Sequence, residues 1–127
     1  VEDGHMVGNH TYSHKNIDKL NNDFLADEVL QCQNSISEYD KAHYSLFRPP
    51  RGLLSVRNIL FLLRHNLNII LWNVDSGDSR RSCTEIVCTL RATVKKKNIV
   101  LFHDDGSRCV EVLENLIPYW QSNGMVL

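Results

Sequence analysis

The chain has 127 residues, with 14 Lys plus Arg against 15 Asp plus Glu and a formal net charge of −1. Hydrophobic residues at 43% and charged residues at 23% match ordinary globular usage, which excludes a disordered or fibrous chain. The only run of three basic residues is Lys95-Lys96-Lys97, too little for a groove that tracks phosphates, so no nucleic-acid partner is expected. The purest apolar stretches, 60–63 and 69–72, fall far short of the ~20 residues a membrane-spanning helix needs, so no membrane span is expected either.

Short apolar segments alternate with segments of helical period, the pattern of a parallel α/β sheet, and about five strands and four helices follow from it. The first strand is expected at His5 to Asn9. A helix follows from about Asp23 to Tyr39, capped by Asn22 or Asp23, with an apolar stripe of Leu25, Val29, Cys32 and Ile36. A strand is expected around Tyr44 to Phe47, and then Ser55 caps a helix. Val56, Ile59, Leu60, Leu63 and Leu67 recur there at i, i+3, i+4 spacing, which predicts the face turned to the core.

The run from Asn68 to Val74 is apolar without alternation, as in a central strand covered on both faces. Ser82-Cys83-Thr84-Glu85 reads as a capping box opening a helix that ends in Lys95 to Lys97, where positive charge complements the helix dipole. Ile99 to Phe102 is a further buried strand. The last helix places Val110, Leu113, Ile117 and Trp120 on one face, is kinked by Pro118 and stops before Gly124; Met125-Val126-Leu127 starts a final strand. No repeat or Pro/Gly-rich linker interrupts the series, so residues 1–127 are expected to form a single domain. The start lacks an initiator Met and a signal-peptide pattern, and both ends are expected to be trimmed. Cys32, Cys83, Cys88 and Cys109 fit no zinc-ribbon spacing, although their even number permits two disulfides; Cys32 also fits as a small core residue.

Reactive groups of parallel α/β folds gather in the loops after the strand C-terminal ends. Here Gly8-Asn9-His10-Thr11-Tyr12-Ser13-His14 follows the first strand, and its two imidazoles can converge on one ion if the segment takes a helical turn. Phe47-Arg48-Pro49-Pro50-Arg51-Gly52 follows the second, where paired prolines stiffen the backbone that carries the arginines. Asp75-Ser76-Gly77-Asp78-Ser79 and Leu101-Phe102-His103-Asp104-Asp105 follow the next two. A carboxylate accepting a hydrogen bond from His103 would fix its tautomer and favour its charged form, as a general acid near neutral pH requires.

With these four loops in order, the chain resembles the polysaccharide deacetylases, the NodB-like domain of carbohydrate esterase family four. His10-Thr11-Tyr12-Ser13-His14 matches that family's H-[S/T]-x-x-H, Arg48 to Gly52 its R-x-P-x-G, Asp75 to Asp78 its D-x-x-D-W with Ser79 in place of tryptophan, and Leu101 to His103 its L-x-H. The resemblance implies a distorted (β/α) barrel with parallel strands, here incomplete, and metal-dependent hydrolytic deacetylation of an acetylated polysaccharide or oligosaccharide such as chitin, peptidoglycan or acetylxylan. It implies that His10 and His14 hold a divalent metal, commonly zinc. It further implies that His103 is the general acid, with Asp78 setting its protonation, and that Arg48 orients a catalytic carboxylate. Leu101, with Pro50 and Tyr12, would meet the substrate. The family's T-F-D-D-G-P motif, which supplies a base and a third metal ligand, does not occur in the 127 residues, so the segment alone is expected to be inactive. The alternative is a non-catalytic carbohydrate-binding or structural relative that has lost the aspartate pair. Polymeric wall substrates imply an extracellular or cell-wall location.

Overall fold

A computed structural model describes residues 2–40, 43–104 and 107–126, with Ser107 described by its backbone alone. The chain folds as two compact units, Val1–Leu71 and Trp72–Leu127. Each is built around one parallel strand pair, and because parallel neighbours need a crossover, each pair brackets a helix.

In the first unit the order is α1 (Asn22–Ile36), β1 (Leu46–Phe47), α2 (Val56–Arg64) and β2 (Asn68–Ile69), with β1 and β2 paired in parallel, Leu46 opposite Asn68 and Phe47 opposite Ile69. The expected strand at His5 to Asn9 shrinks to a single parallel bridge between Asn9 and Phe47. The side chain of Asn9 is fully buried and turned to α1, donating from Nδ2 to the Val29 carbonyl at 2.8 Å and to Gln33 Oε1 at 3.0 Å. Helix α1 begins one residue earlier than expected, because the side chain of Asn21, not that of Asn22 or Asp23, accepts from the Phe24 amide at 2.9 Å. Ile17, Leu25, Val29, Phe47, Leu62 and Leu67 form the core.

Helix α2 is capped as expected, with Ser55 and Asn58 in a reciprocal box. Its buried face is not the predicted one. Val56, Ile59, Leu60 and Leu63 lie exposed, while Asn58 and Leu62 are fully buried and Phe61 packs against the core. The opposite face can turn inward because the amide of Asn58 is satisfied there, donating to the Ile17 carbonyl at 3.2 Å and accepting from the Ser55 amide at 2.9 Å.

The apolar run 68–74 is two strands, not one: β2 ends at Ile69, and β3 (Val74–Asp75) belongs to the second unit. There β3 pairs in parallel with β4 (Val100–Leu101), Val74 opposite Val100 and Asp75 opposite Leu101, across α3 (Cys83–Thr93). The capping box of Ser82 and Glu85 opens α3 as expected. Its last residue is Thr93, and Lys95 to Lys97 fall in the turn beyond, tied by the Lys95 amide donating to Asn98 Oδ1 at 2.7 Å. Helix α4 (Ser107–Ser122) contains Pro118 and packs on α3 through Val112, Leu116 and Trp120 against Ile86 and Leu90. Val110 and Ile117 of the expected stripe are exposed, so the buried face is rotated from the predicted one. Gly124, at φ 73°, ends the helix, with the Met125 amide reaching back to the Trp120 carbonyl at 3.0 Å. Residues 125 and 126 form no strand; Leu127 of the expected final strand lies outside the described residues.

All four cysteines carry free thiols. Cys83 donates to Glu111 at 3.0 Å, and that hydrogen bond holds its thiol above the usual range. No helix among the described residues is long and apolar enough to cross a membrane.

Candidate active site

The two-histidine loop of the first unit is built outward from Asn9. The Asn9 amide donates to the Leu46 carbonyl at 2.7 Å and its own carbonyl accepts from the Arg48 amide at 2.8 Å, so the loop leaves the sheet beside the start of the arginine segment. Asn9 Oδ1 then accepts from the Thr11 amide at 3.0 Å, turning the chain at once. Thr11 sits at φ 65° and His14 at φ 57°, a left-handed conformation that costs a β-branched residue roughly 1–3 kcal/mol and persists only where neighbours hold it.

The loop is therefore no helical turn, contrary to the geometry that the spacing of His10 and His14 invited. The rings meet all the same, edge to face, with centroids 4.9 Å apart. His10 Nδ1 lies 2.7 Å from the Arg48 carbonyl oxygen. A carbonyl only accepts, so Nδ1 carries the hydrogen and the lone pair of the neutral ring is on Nε2. Two neighbouring imidazoles, one with its tautomer fixed in this way, are a donor set that suits zinc or a similar divalent cation. Among the described residues no cluster of three His, Cys, Asp or Glu side chains forms.

Sequence reasoning missed the group that holds this loop. Glu28 of α1, 6% exposed, accepts from the Ser13 amide at 2.8 Å through Oε2 and from the Ser13 hydroxyl at 2.5 Å through Oε1. Its carbonyl accepts from the Tyr12 amide at 2.9 Å, and Lys15 Nζ lies 3.1 Å from Oε1. Burial pushes the Glu28 carboxyl up, but the bonds from Ser13 and Lys15 outweigh it and hold the group below its ordinary range. The signal was available: Glu28 falls three residues after Leu25, a charged side chain inside an apolar stripe. The other residues predicted for this region are Pro50, buried at the start of the turn Pro50–Gly52, and Tyr12, whose ring is exposed between the two histidines in sequence.

In the second unit the site follows directly from strand register. Asp75 faces Leu101 across the β3 and β4 pair, and the Ser76 amide donates to the Leu101 carbonyl at 3.2 Å, so the chain leaves both strands side by side. Gly77, at φ 69°, makes the turn; its amide donates to Asp75 Oδ1 at 2.8 Å, and a Cβ there would stand 3.1 Å from the Arg81 side chain. Asp78 is thereby returned to His103. Its Oδ2 accepts from the His103 amide at 2.6 Å, and its Oδ1 lies 2.8 Å from His103 Nδ1. The Asp78 carboxylate is 4% exposed and the His103 ring 47%, so the acid is sheltered while the imidazole faces outward. Burial raises the Asp78 carboxyl, but the backbone and ring of His103 and the Ser76 hydroxyl more than offset it and hold the group below the usual carboxylate range. Arg108 donates to the Asp78 carbonyl at 2.9 Å, fixing the turn from α4. Leu101 lies half-buried in β4, two residues before His103.

Comparison with known proteins bears on the family and the fold. Residues 1–69 match the family model for polysaccharide deacetylases. A peptidoglycan-N-acetylglucosamine deacetylase of Bacillus cereus is 26% identical over 131 residues, covering 98% of this chain and 47% of its own length. Chitin deacetylase 1 of Saccharomyces cerevisiae is 28% identical over 120 residues, covering 88% and 40%. The chain thus spans about half the length, or less, of these curated relatives. A family 4 carbohydrate esterase of Streptomyces lividans, solved with acetate, superposes with a TM-score of 0.87 at 23% identity, covering 98% of this chain and 65% of its own. A family 4 pseudoenzyme of Bacillus anthracis superposes with 0.83 at 25% identity over 94% of this chain and 42% of its own, so the fold is shared by members with and without activity. The α/β architecture with parallel strands and four helices, the motif order and the family match converge: the chain belongs to the polysaccharide deacetylase family.

Proposed function

We propose that this protein hydrolytically removes acetyl groups from an acetylated polysaccharide or oligosaccharide of the chitin, peptidoglycan or acetylxylan type, with a divalent metal, zinc first, held by His10 and His14. The observation that carries the proposal is the Asp78 and His103 pair, a sheltered carboxylate 2.8 Å from the ring nitrogen of a half-exposed imidazole. When bound, the cation would polarise the acetyl carbonyl and acidify a water molecule.

The chain's own residues supply two metal ligands and a proton donor with its partner. With Nδ1 of His10 committed to the Arg48 carbonyl, Nε2 is the nitrogen offered to a metal. Asp78 accepts from Nδ1 of His103, so proton exchange falls to Nε2, and the nearby negative charge favours the imidazolium that gives its proton to a departing amine or alkoxide. Arg48 is assigned to orient a catalytic carboxylate, Leu101 to line the pocket for the acetyl methyl group, and Pro50 and Tyr12 to bind substrate. Location outside the cell membrane or in the wall follows from such polymers as substrates.

The test is acetate release, with matching new free amines, from N-acetylated chito-oligosaccharides and peptidoglycan fragments by the full-length protein. Metal-dependent release supports hydrolysis. Saturable binding of the same oligosaccharides without release supports the non-catalytic alternative, which the pseudoenzyme of the same fold makes concrete. The 127-residue segment by itself is expected to release none, because catalytic zinc typically takes about three protein ligands and the loop offers two.

A further inference from the structure

We propose that Glu28 is the positioning residue of the two-histidine loop: its buried carboxylate holds Ser13, and so fixes His10 and His14 in the facing arrangement that a metal needs. This rests on the proposal that these imidazoles are metal ligands.

The geometry is specific to a carboxylate. Three donors converge on two oxygens: the Ser13 amide at 2.8 Å, the Ser13 hydroxyl at 2.5 Å and the Lys15 ammonium at 3.1 Å. An ionised carboxyl accepts from all three, and bonds of this kind are the strong ones. A carboxylate 6% exposed would be costly to bury without them. The same residue also uses its backbone, accepting the Tyr12 amide at 2.9 Å, so two consecutive loop residues are pinned to one turn of α1. Both left-handed residues, Thr11 and His14, flank the pinned pair. His10 is held by the Arg48 carbonyl and Thr11 by Asn9 Oδ1, so the clamp acts on the half of the loop that carries Ser13 and His14, and its loss would free the His14 side of the 4.9 Å ring approach. The core continues on either side, since Leu25 and Val29 hold α1 independently of the loop. Glu28 is thus placed to affect ligand geometry more than folding.

Metal-ligand partners one step removed typically contribute about 10–100-fold in affinity. In the full-length protein, Glu28→Ala is expected to weaken zinc binding by that factor, with the unfolding midpoint of the metal-free protein shifted little. Glu28→Gln, which keeps one acceptor for the Ser13 amide and can donate to the hydroxyl, should recover part of the loss. A second readout needs no metal: the Ser13 amide should lose hydrogen-exchange protection, and the nuclear Overhauser contact between the His10 and His14 rings should fade, in Glu28→Ala while amides of α1 stay protected. Should Glu28→Ala fail to fold, Ser13→Ala removes the hydroxyl bond and keeps the amide bond, and is expected to weaken zinc binding and the ring contact in the same direction by a smaller factor.

Zinc affinity within about twofold of wild type in a folded Glu28→Ala, or an unchanged ring contact, would overturn the proposal. If wild type binds no zinc through His10 and His14, the ligand assignment fails instead, and the exchange and ring-contact measurements still decide whether Glu28 positions the loop.

Discussion

The two candidate clusters, one in each unit, are built in different ways. In the second unit, Asp78 and His103 follow adjacent parallel strands whose register puts Asp75 opposite Leu101, and one glycine turn completes the contact. In the first unit, His10 and His14 come off a single bridge at Asn9, pass through two left-handed residues and depend on a buried acid from a helix. A strand-built pair is as rigid as its ladder. A clamped loop is as rigid as its clamp, and it can be adjusted without disturbing the sheet.

The largest effect that would sharpen this contrast lies on the proton-carrying side. His103→Ala in the full-length protein is expected to lower kcat by about 10²–10⁴-fold, the usual worth of a positioned proton donor, with KM nearly unchanged. Asp78→Asn should cost less and in a diagnostic way. The amide oxygen would keep the His103 backbone bond, leaving the amide N–H₂ facing Nδ1 and so inverting the ring's tautomer. The prediction is a fall in kcat without a matching rise in KM, together with an altered pH–rate profile; a wild-type profile in Asp78→Asn would break the pairing.

Next in size is the core of the first unit. Phe47→Ala should destabilise by about 3–5 kcal/mol and Leu62→Ala by about 2–5 kcal/mol, since both side chains are fully buried. Leu60→Ala, on the face of α2 that periodicity assigned to the core, should stay within about 0.5 kcal/mol because the side chain is 49% exposed. Urea titration of the three variants decides which face is inside.

A pH dependence distinguishes the acids more gently. Asp78 and Glu28 both have folded-state carboxyls held below their ordinary range. A depressed carboxyl contributes stability that is fully present above its unfolded-state range and is lost as pH falls through the lower, folded-state value. The thermal midpoint should therefore hold steady from neutral pH down to the ordinary carboxylate range and then decline. Asp78→Asn and Glu28→Gln should each flatten that decline; an unchanged acid limb in both would contradict the assigned bonds.

What could be read from the chain follows the same division. Alternating apolar and helical segments pointed to the parallel α/β class, and the cap at Ser55 and the box at Ser82 were legible because capping is decided by residues a turn apart. The approach of Asp78 to His103 was legible because strand ends carry reactive loops in this architecture. The inward face of α2 was not, because it is completed by Asn58, a polar residue whose burial depends on a distant carbonyl of Ile17. The first strand was not, because pairing there stops at the single bridge of Asn9 to Phe47, and apolar character at 5–9 does not say how many backbone groups find a ladder partner. The histidine loop was half legible: two imidazoles did converge, but through Thr11 and His14 at positive φ and a clamp from Glu28, none of which H-x-x-x-H spacing encodes.

The most direct measurement is acetate release by the full-length protein after chelation and after return of one equivalent of zinc, in wild type and in His14→Ala. Release should vanish on chelation, return on zinc addition in wild type, and fail to return in His14→Ala at the same zinc. Release that survives chelation, or that zinc restores equally in His14→Ala, would contradict the assignment of the two histidines as the metal site of a deacetylase.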